Sequence, residues 1–553
     1  MSQGIEHKTG TFRKWANLNV LGLVLLAAAF GVSAWRAVLN HEQITERPDS
    51  GDRKIIRICH WQLEPGYRNA IQAVIDQYEK LRPDVHVIQI PIGEKVYVQW
   101  LNTHMIAGTA PDVSEMGMGQ LAADDQYVSR FYLPLTDKVD SPNLYNQGTD
   151  LEGVPWRDTF VDGMRRGYLD TLQDYYGAPT CVHTIRMFYN KEMLKRATGS
   201  DVPPRTLGGL FTACQALRDL GERTGERITP IAGNRDCLDL FLSRYAAPFT
   251  AGYEKDLDLD LDGKMTLNET YIGFCRGRLS LRDPAMRAYY ECIQAISEQF
   301  AQGFLGMGRE MSVYSFVMGH SGMMATGSWD AMSLFTQARF DVGVMDFPLP
   351  GPGERWHEQL VGRRNEAVMA GGAQYGICKY SAHPDVALDF LKYMTSQKGN
   401  ELLTTKAGLI PITIGADLPE RMRPFMPDPV GYVSKIDLRY GNYMQMRYNG
   451  ELERYMSGQS MNYDQFVQNV ESALLDPSGG DRGWAIEYDT KVRWARNQER
   501  ALATQSIREL MDPAARDAHD KYIRQMLQQV RANNGQDLRY RFEQVRKKMI
   551  PEI

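Results

Sequence analysis

Paired cysteines, clustered basic residues and catalytic signatures are all lacking from this chain. Its seven cysteines are scattered singly, with no C-x-x-C pair. This spacing excludes the usual zinc sites and argues against a disulfide framework. The formal net charge is −5 and no long basic stripe occurs, so the chain lacks the charge pattern of a nucleic-acid-binding protein. Because G-x-S-x-G, H-E-x-x-H and P-loop patterns are also missing, we predict no catalytic residue, metal site or cofactor.

One long apolar run is present, close to the N-terminus. Lys8, Arg13 and Lys14 precede about twenty mostly apolar residues from Trp15 to Trp35. A positive flank followed by an apolar run is typical of a secretion signal or of a membrane anchor, and both interpretations of residues 1–35 stay open. Either one places the rest of the chain outside the cytoplasm, free in the periplasm or anchored in the inner membrane. A polar linker, residues 36–53, then leads to the folded part.

The segments after the linker alternate between strand and helix patterns. "KIIRICHW" and "VHVIQIPI" read as strands, and each is followed by a segment with helical spacing of apolar residues. This order predicts an α/β fold with a parallel layer, whose ligand edge lies at the carboxyl ends of the strands. Trp61 and the Asp112 loop are expected near that edge. A second α/β region begins near residue 173, where Thr206 is a candidate N-cap.

Five segments, in order, resemble extracellular solute-binding proteins of bacterial ABC importers, in the carbohydrate-binding group that includes maltose-binding protein. They are "AGTAPDV", "YGAPTCVHTIRMFYNKEML…VPPRTLGGL", "FVMGHSGMMATGSW", "DVGVMDFPLPGPG" and "GGAQYGICKYSAHPDVALDFLKYMTSQKGNELL". The resemblance covers about residues 54–475 and implies a two-lobed, type II periplasmic-binding-protein-like fold with a hinge. The N-terminal lobe would comprise 54–172 and 346–408, and the C-terminal lobe 173–345 and 409–475. Residues 476–553 would form a helical extension outside the family.

The resemblance also implies a ligand site between the lobes. Trp61 in one lobe and Trp329 in the other would provide aromatic faces for the apolar side of a pyranose. His183 lies where relatives place a polar ligand contact, and its neutral imidazole would donate to one hydroxyl and accept from another. The remaining candidates are polar, flexible or small residues near the strand ends: Gln62, Glu64, Asp112, Glu115, Met116 and Gly372. Asp112 is expected mainly to brace its loop.

The stretch Asp258–Glu269 has two conflicting interpretations. Its D-x-D-x-D-G-x5-E pattern is that of an EF-hand calcium loop, whereas the alternation of leucine with aspartate around Asp262-Gly263 is typical of a β-hairpin. Relatives carry a hairpin at this point, the leucines need a buried face, and the preceding "YEKDLDLD" looks strand-like. We therefore favour the hairpin.

Three functions remain open at this level. The first is a binding protein that delivers a carbohydrate, with an oligosaccharide as the expected ligand, to ABC permease subunits. The second is a membrane-tethered sugar sensor for a signalling partner. The third is a glycan-acting enzyme, which would need two suitably spaced carboxylates. Arg235, Arg363 and Arg364 would select an acidic sugar if they faced the cleft, but a solvated surface position is expected for each.

Overall fold

The computed structural model describes residues 53–486 with short gaps, together with Gly31. The gaps are residues 64, 117–124, 170–173, 259–264, 368–370, 434, 440 and 459–460. The predicted signal or anchor, nearly all of the linker and the extension from residue 487 onward therefore lie outside the described residues. Among the residues that are described, no helix is both long enough and apolar enough to cross a bilayer.

The described chain alternates short strands with helices. The strands are β1 Lys54–His60, β2 Val85–Pro91, β3 Val113–Glu115, β4 Tyr168–Leu169, β5 Asp174–Tyr175, β6 Cys181–Val182, β7 Ile185–Asn190, β8 Thr229–Ala232, β9 Ser321–Gly327, β10 Val342–Met345, β11 Gly371–Gly372 and β12 Tyr375–Ile377. The helices are α1 Pro65–Leu81, α2 Glu94–Ala107, α3 Asp125–Phe131, α4 Thr136–Val139, α5 Lys191–Thr198, α6 Leu207–Thr224, α7 Arg235–Thr250, α8 Glu254–Leu257, α9 Leu267–Cys275, α10 Pro284–Ser297, α11 Arg309–Val317, α12 Ala331–Gln337, α13 Pro384–Met394, α14 Gln397–Ala407, α15 Gly441–Met456 and α16 Tyr463–Leu474.

The first sheet has the strand order β12-β3-β1-β2. β1 is parallel to β2 and to β3, and β12 completes the sheet antiparallel to β3. The parallel layer predicted from the strand–helix order is thus confirmed. Because the carboxyl ends of parallel strands meet at one edge, the residues that follow β1 and β3 lie close together there.

Helix α1 covers this sheet with the apolar face that its sequence predicts. Ile71, Val74, Ile75 and Tyr78 are all buried. Helices α13 and α14, which come more than 300 residues later, pack against α1. The predicted strand–helix unit "GGAQYGIC…ALDFLKYM" is confirmed as β12 and α13, and it closes the first sheet from a distant part of the chain.

The second sheet has the order β10-β7-β9-β8, with β7 antiparallel to both of its neighbours. β8 runs parallel to β9. Helices α6 and α11 pack against β8, and α7 packs against β9 and α10. The side chain of Thr206 accepts a hydrogen bond from the Gly209 N–H, which confirms it as the N-cap of α6. Both faces of this sheet therefore carry helices.

Two short crossing strands join the sheets. β6, which leads into β7, pairs antiparallel with β11, which leads into β12. Val182 also forms a bridge with Ile410. The chain therefore passes between the two sheets at three neighbouring points, and the residues of these crossings lie between the sheet edges.

A buried ion-pair network ties the second sheet to the segments that flank the crossings. Arg186 on β7 is 3% exposed, and its guanidinium donates to both oxygens of Glu366 at 2.7 and 2.9 Å. It also donates to the carbonyls of Pro424 and Met426 at 3.0 and 2.7 Å. Arg244 forms a second ion pair with Glu366. One buried carboxylate thus holds two arginines and two chain segments together.

The C-terminal helices pack on the second half of the molecule. α15 packs against α10 and α16, and residues 480–486 form a further helical segment. Trp484 in this segment is buried and stacks on Tyr271 of α9, with ring centroids 5.0 Å apart. The beginning of the predicted C-terminal extension is therefore part of the hydrophobic core.

Candidate functional site

The carboxyl ends of β1 and β3 bring together four of the predicted ligand-binding residues. Trp61 and Gln62 follow β1, Glu115 ends β3 and Met116 comes next. Gln62 Nε2 donates to Glu115 Oε1 at 3.0 Å. The Met116 N–H donates to the carbonyl of Gln374 at 2.7 Å. Glu115 and Met116 are buried and Trp61 is half-buried, so this edge offers an indole face beside polar groups that are held in place.

A second group forms around Trp329, which follows β9 and is 43% exposed. Its ring lies edge-on to His183, with ring centroids 5.5 Å apart. Gly372 on β11 leaves room for the imidazole, since an added Cβ would be 2.3 Å from His183 Nδ1. Gly327 likewise leaves room for the indole, with an added Cβ 2.1 Å from a ring carbon of Trp329. The structure therefore brings Trp329, His183 and Gly372 together at a crossing strand.

The side chain of Cys181 contacts the imidazole ring of His183 and fixes its orientation. Its Sγ lies 3.2 Å from His183 Nε2, and its side chain is fully buried. Burial raises the pKa of the Cys181 thiol and the nearby Glu115 charge raises it further, whereas burial and the Arg166 charge lower the pKa of His183 to about 4. Both groups are therefore neutral at pH 7, and we assign the bond as S–H to Nε2, which leaves the imidazole proton on Nδ1.

The segment from β11 to β12 links the two groups of residues. Gly372 on β11 pairs with Cys181, and Tyr375, three residues later on β12, pairs with Glu115. The Trp61 edge and the Trp329 group therefore both adjoin this crossing segment, and together they form the candidate site.

Asp112 does not join this site in the structure. Asp112 precedes β3, and its carboxylate accepts hydrogen bonds from the Arg57 N–H at 2.8 Å and from Ser381 Oγ at 2.6 Å. Asp112 thus braces the far end of β3, opposite to Glu115, as its loop-bracing role predicted. Glu64 lies outside the described residues.

Arg309 and Asp330 contribute to the site although the sequence did not single them out. Asp330 follows Trp329 directly, and its Oδ2 accepts hydrogen bonds from Arg309 Nη2 and from Thr326 Oγ1, each at 2.5 Å. These bonds fix the short turn Ser328–Asp330 that carries the indole. The acidic residue after "GSW" was the one available signal, and its partner on α11 could not be inferred from the sequence.

Residues 73–424 match the family described as bacterial extracellular solute-binding protein. The chain belongs to this family. The resemblance inferred from the five sequence segments is therefore confirmed. A curated relative, an uncharacterized ABC transporter extracellular-binding protein of Pyrococcus horikoshii, is 24% identical over 248 residues, which are 43% of this chain and 47% of the relative. The chain thus spans about half the length of that relative.

Solved structures share the fold of this solute-binding protein at low sequence identity. The GacH receptor of Streptomyces glaucescens, solved unliganded and with acarbose, is 20% identical with a TM-score of 0.54, over 76% of this chain and 97% of that one. The cyclic alpha-maltosyl-1,6-maltose binding protein of Arthrobacter globiformis is 15% identical with a TM-score of 0.53, over 76% and 97%. Maltose-bound MalE3 of T. maritima is 18% identical with a TM-score of 0.52, over 76% and 98%.

The three arginines considered as contacts for an acidic sugar each lie next to a polar group of this solute-binding protein itself. Arg235 pairs with Glu453 at 2.8 Å, and the exposed Arg363 lies 3.8 Å from Asp428. Arg364 donates to the carbonyl and the hydroxyl of Ser243 at 2.5 and 2.7 Å. Burial and the neighbouring Arg244 charge lower the pKa of Arg364. The solvated position expected for Arg364 is therefore wrong, because its guanidinium is half-buried and is held by the backbone and side chain of Ser243.

Helices flank the acidic stretch Asp258–Glu269, where we favoured a hairpin. α8 ends at Leu257 and α9 begins at Leu267, so the strand-like interpretation of the residues up to Leu257 is wrong, and any hairpin is confined to the residues between the two helices. Leu257 is buried and packs so closely on α9 that an added Cβ at Gly273 would be 2.1 Å from its Cδ2. Burial of this leucine against a helix, rather than the two-residue alternation, decides the local structure. The turn itself, residues 259–264, lies outside the described residues.

Glu269 is buried and completes a capping box at the start of α9. Its Oε2 accepts hydrogen bonds from the Thr266 N–H at 2.9 Å and from Thr266 Oγ1 at 2.7 Å. In the absence of calcium we expect Glu269→Ala to lower the free energy of unfolding by about 1–2 kcal/mol, because a buried cap is lost. Glu269→Gln should remain near wild type, since glutamine also serves in a capping box. Urea unfolding in EDTA measures both.

A calcium titration of the same variants separates capping from metal binding. If Glu269 only caps, calcium leaves the wild-type Tm unchanged. A rise in Tm with calcium that disappears in Glu269→Gln would instead show that the acidic stretch binds calcium, because the amide cannot replace a bidentate carboxylate ligand. Equal stability of Glu269→Ala and wild type in EDTA would contradict the capping role.

Proposed function

We propose that this solute-binding protein captures a saccharide between its two sheets and delivers it to the permease of an ABC importer. The observation that carries the proposal is the half-exposed indole of Trp329, set edge-on to the neutral His183. An accessible aromatic face suits the apolar side of a pyranose, and fixed donors and acceptors suit its hydroxyls. The family and the sugar-binding relatives of the same fold support this assignment.

The proposed roles follow from the geometry of each group. Trp329 and Trp61 stack on sugar rings from opposite sides of the site. The Gln62 amide donates to or accepts from sugar hydroxyls, and the Glu115 carboxylate accepts from them. His183 donates through Nδ1 because Cys181 occupies Nε2. A binding protein needs no catalytic group, and this solute-binding protein is assigned no reaction.

We also propose the arrangement of lobes and membrane attachment that the sequence predicts. Residues 54–172 with 346–408 would form one lobe and residues 173–345 with 409–475 the other, with the β6–β11 crossing as the hinge. The two separate four-stranded sheets and their crossing segments support this division. The family description implies a location outside the cytoplasm. The apolar run near the N-terminus would then provide either the export signal or an anchor in the inner membrane.

Thermal unfolding of residues 51–553 with a panel of sugars tests the proposed function. The panel contains maltose, raffinose, chitin oligosaccharides and xylan oligosaccharides, chosen because relatives of the same fold bind such compounds or take part in their use. A ligand at a hundred times its Kd stabilises the folded state by about 2.7 kcal/mol, so we expect a clear rise in Tm with one class of sugar. Trp329→Ala should weaken the binding of that sugar by about 10–100-fold, because an aromatic platform is lost.

Tyr380→Ala provides the matched control for the platform. Tyr380 is 52% exposed and follows β12, at the end of the first sheet away from Glu115. Its removal should leave sugar affinity within twofold, or about 0.4 kcal/mol. Equal losses of sugar affinity in the two variants, or unchanged affinity in Trp329→Ala, would show that Trp329 does not contact the sugar. A flat response to every sugar in the panel would contradict the carbohydrate assignment.

A further inference from the structure

An ion pair joins the half of the molecule built on the first sheet to the half built on the second. Lys95, in the first turn of α2, places its Nζ 3.7 Å from Glu310 Oε1, in the first turn of α11. α2 packs into the core beside β1 through Tyr97, Leu101 and Met105. α11 packs on β8 and β9 of the second sheet. The pair therefore joins two elements that belong to different sheets.

The charges beside this pair are complementary as well. Glu94 precedes Lys95 and Arg309 precedes Glu310, so each partner of the ion pair has a neighbour of the opposite charge on its own helix. Burial by itself would lower the pKa of Arg309, but the Asp330 carboxylate and, more weakly, the Glu94 carboxylate raise it.

Each side of this contact is attached to a segment that carries a proposed sugar platform. On the first side, the Ile92 N–H donates to the His60 carbonyl at 2.9 Å, which holds the start of α2 to the strand end before Trp61. On the second side, Arg309 binds the Asp330 carboxylate in the turn that carries Trp329. The distance between the two helix starts therefore controls the distance between the two indoles.

We propose that Lys95–Glu310, with Glu94 and Arg309 beside it, is a charge latch that sets saccharide affinity by holding the two halves of the site at their binding distance. These are positioning residues that act through the platforms and touch no ligand themselves. The inference rests on the proposed function. When only part of the population is competent to bind, the apparent affinity falls by that fraction, so a latch that enlarges the competent fraction tightens binding without a new ligand contact.

The latch is exposed, so its effect depends on salt. The side chains of Lys95 and Glu310 are 91% and 75% exposed, and an exposed pair alone contributes little. Reversing one charge, as in Glu310→Lys, has a larger effect, because the attraction between residues 95 and 310 is lost and a repulsion takes its place. The Debye length is about 30 Å at 0.01 M salt and about 3 Å at 1 M, which is shorter than the contact itself. The latch should therefore be strong in dilute buffer and nearly absent in concentrated salt.

Charge reversal followed by a distance measurement on the sugar-free protein tests the latch. Nitroxide labels on Ile106→Cys and Val202→Cys, both at exposed positions of different halves, report the separation by double electron–electron resonance in a Cys275→Ser background. In about 0.01 M salt, Glu310→Lys should reduce the short-distance population by about threefold to tenfold, in keeping with exposed charge pairs. Lys95→Glu combined with Glu310→Lys should restore it, and about 1 M salt should remove the difference.

Glu226→Lys is the matched control, because Glu226 forms an exposed ion pair with Arg196 inside one half of the molecule. It should leave the distance distribution unchanged. If Glu310→Lys behaves like this control, or if the double reversal fails to restore the population, the latch is overturned. Since no sugar is present, this outcome is independent of whether the protein binds carbohydrate.

The sugar that raises Tm in the panel provides the second measurement. Glu310→Lys should weaken its binding by about threefold to tenfold, mainly through faster dissociation, and the double reversal should recover it. A distance change without an affinity change would overturn the role in affinity. A structural defect would not be repaired by a second charge reversal, so recovery distinguishes positioning from misfolding.

Discussion

Arg186→Met should lower the free energy of unfolding by about 3–5 kcal/mol, because it leaves the buried Glu366 carboxylate without its bidentate partner. Arg186 and Glu366 are 3% and 4% exposed, so solvent cannot replace the lost bonds. The carbonyls of Pro424 and Met426 lose their donors at the same time. Methionine keeps much of the side-chain volume, so the loss measures the polar network rather than a cavity. Urea unfolding monitored by circular dichroism gives the value.

Arg235→Met is the matched control for this substitution. Arg235 forms an ion pair of similar length with Glu453, at 2.8 Å, but the two side chains are 51% and 35% exposed. A pair at the surface contributes at most about 1 kcal/mol, and often much less. A loss in Arg186→Met no larger than in this control would show that the network around Glu366 contributes little to folding.

The pH dependence of stability provides an independent measure of the same network. Burial alone would raise the pKa of Glu366, but the Arg186 hydrogen bonds and the Arg244 and Arg186 charges outweigh it and hold the pKa below 4.5. A carboxyl whose pKa is lowered on folding stabilises the folded state above its unfolded pKa and loses this contribution as the pH falls through the folded value. The difference between wild type and Arg186→Met should therefore be largest near pH 7 and shrink below about pH 4.5.

This network also marks the limit of what the sequence could predict. The pattern of apolar residues predicted β1, α1, β2 and α2, because each element contains its own periodicity. Arg186 and Glu366 are 180 residues apart, and no local pattern connects them. The three-residue β3 was not predicted either, since it is too short to show alternation and forms through pairing with β1 and β12.

In the candidate site, too, local sequence patterns point to single residues, whereas long-range contacts have no signal in the sequence. Trp61, Trp329 and His183 could be found because strand ends and a family resemblance point to single residues. Their supports could not be found, because Gln62–Glu115, Cys181–His183 and Arg309–Asp330 depend on how separate segments meet. Before Asp258 the local pattern misled, since the segment that ends at Leu257 looked strand-like but forms helix α8, with Leu257 buried against α9. Sequence patterns thus nominate single side chains as platforms, and tertiary contacts determine how those side chains are held.

Trp484→Ala should lower the free energy of unfolding by about 3–5 kcal/mol, the usual range for removing a buried tryptophan from a core. Trp484 is 1% exposed and stacks on Tyr271, whose hydroxyl also bonds to Asp481. The family match ends at residue 424, well before this contact. If the late helices were a separate appendage, their loss would leave the binding unit intact. The stacking instead predicts that thermal and urea unfolding of the whole chain respond together.

Ile486→Ala separates this core contact from a general effect of the C-terminal segment. Ile486 is 50% exposed and lies two residues after Trp484 on the same helical segment, so its truncation should change stability by less than about 0.5 kcal/mol. Sugar affinity should stay unchanged in both variants under conditions where they are folded, because Trp484 packs on α9, away from Trp329. A stable Trp484→Ala protein, or a loss as large in Ile486→Ala, would contradict the conclusion that the first part of the extension belongs to the core.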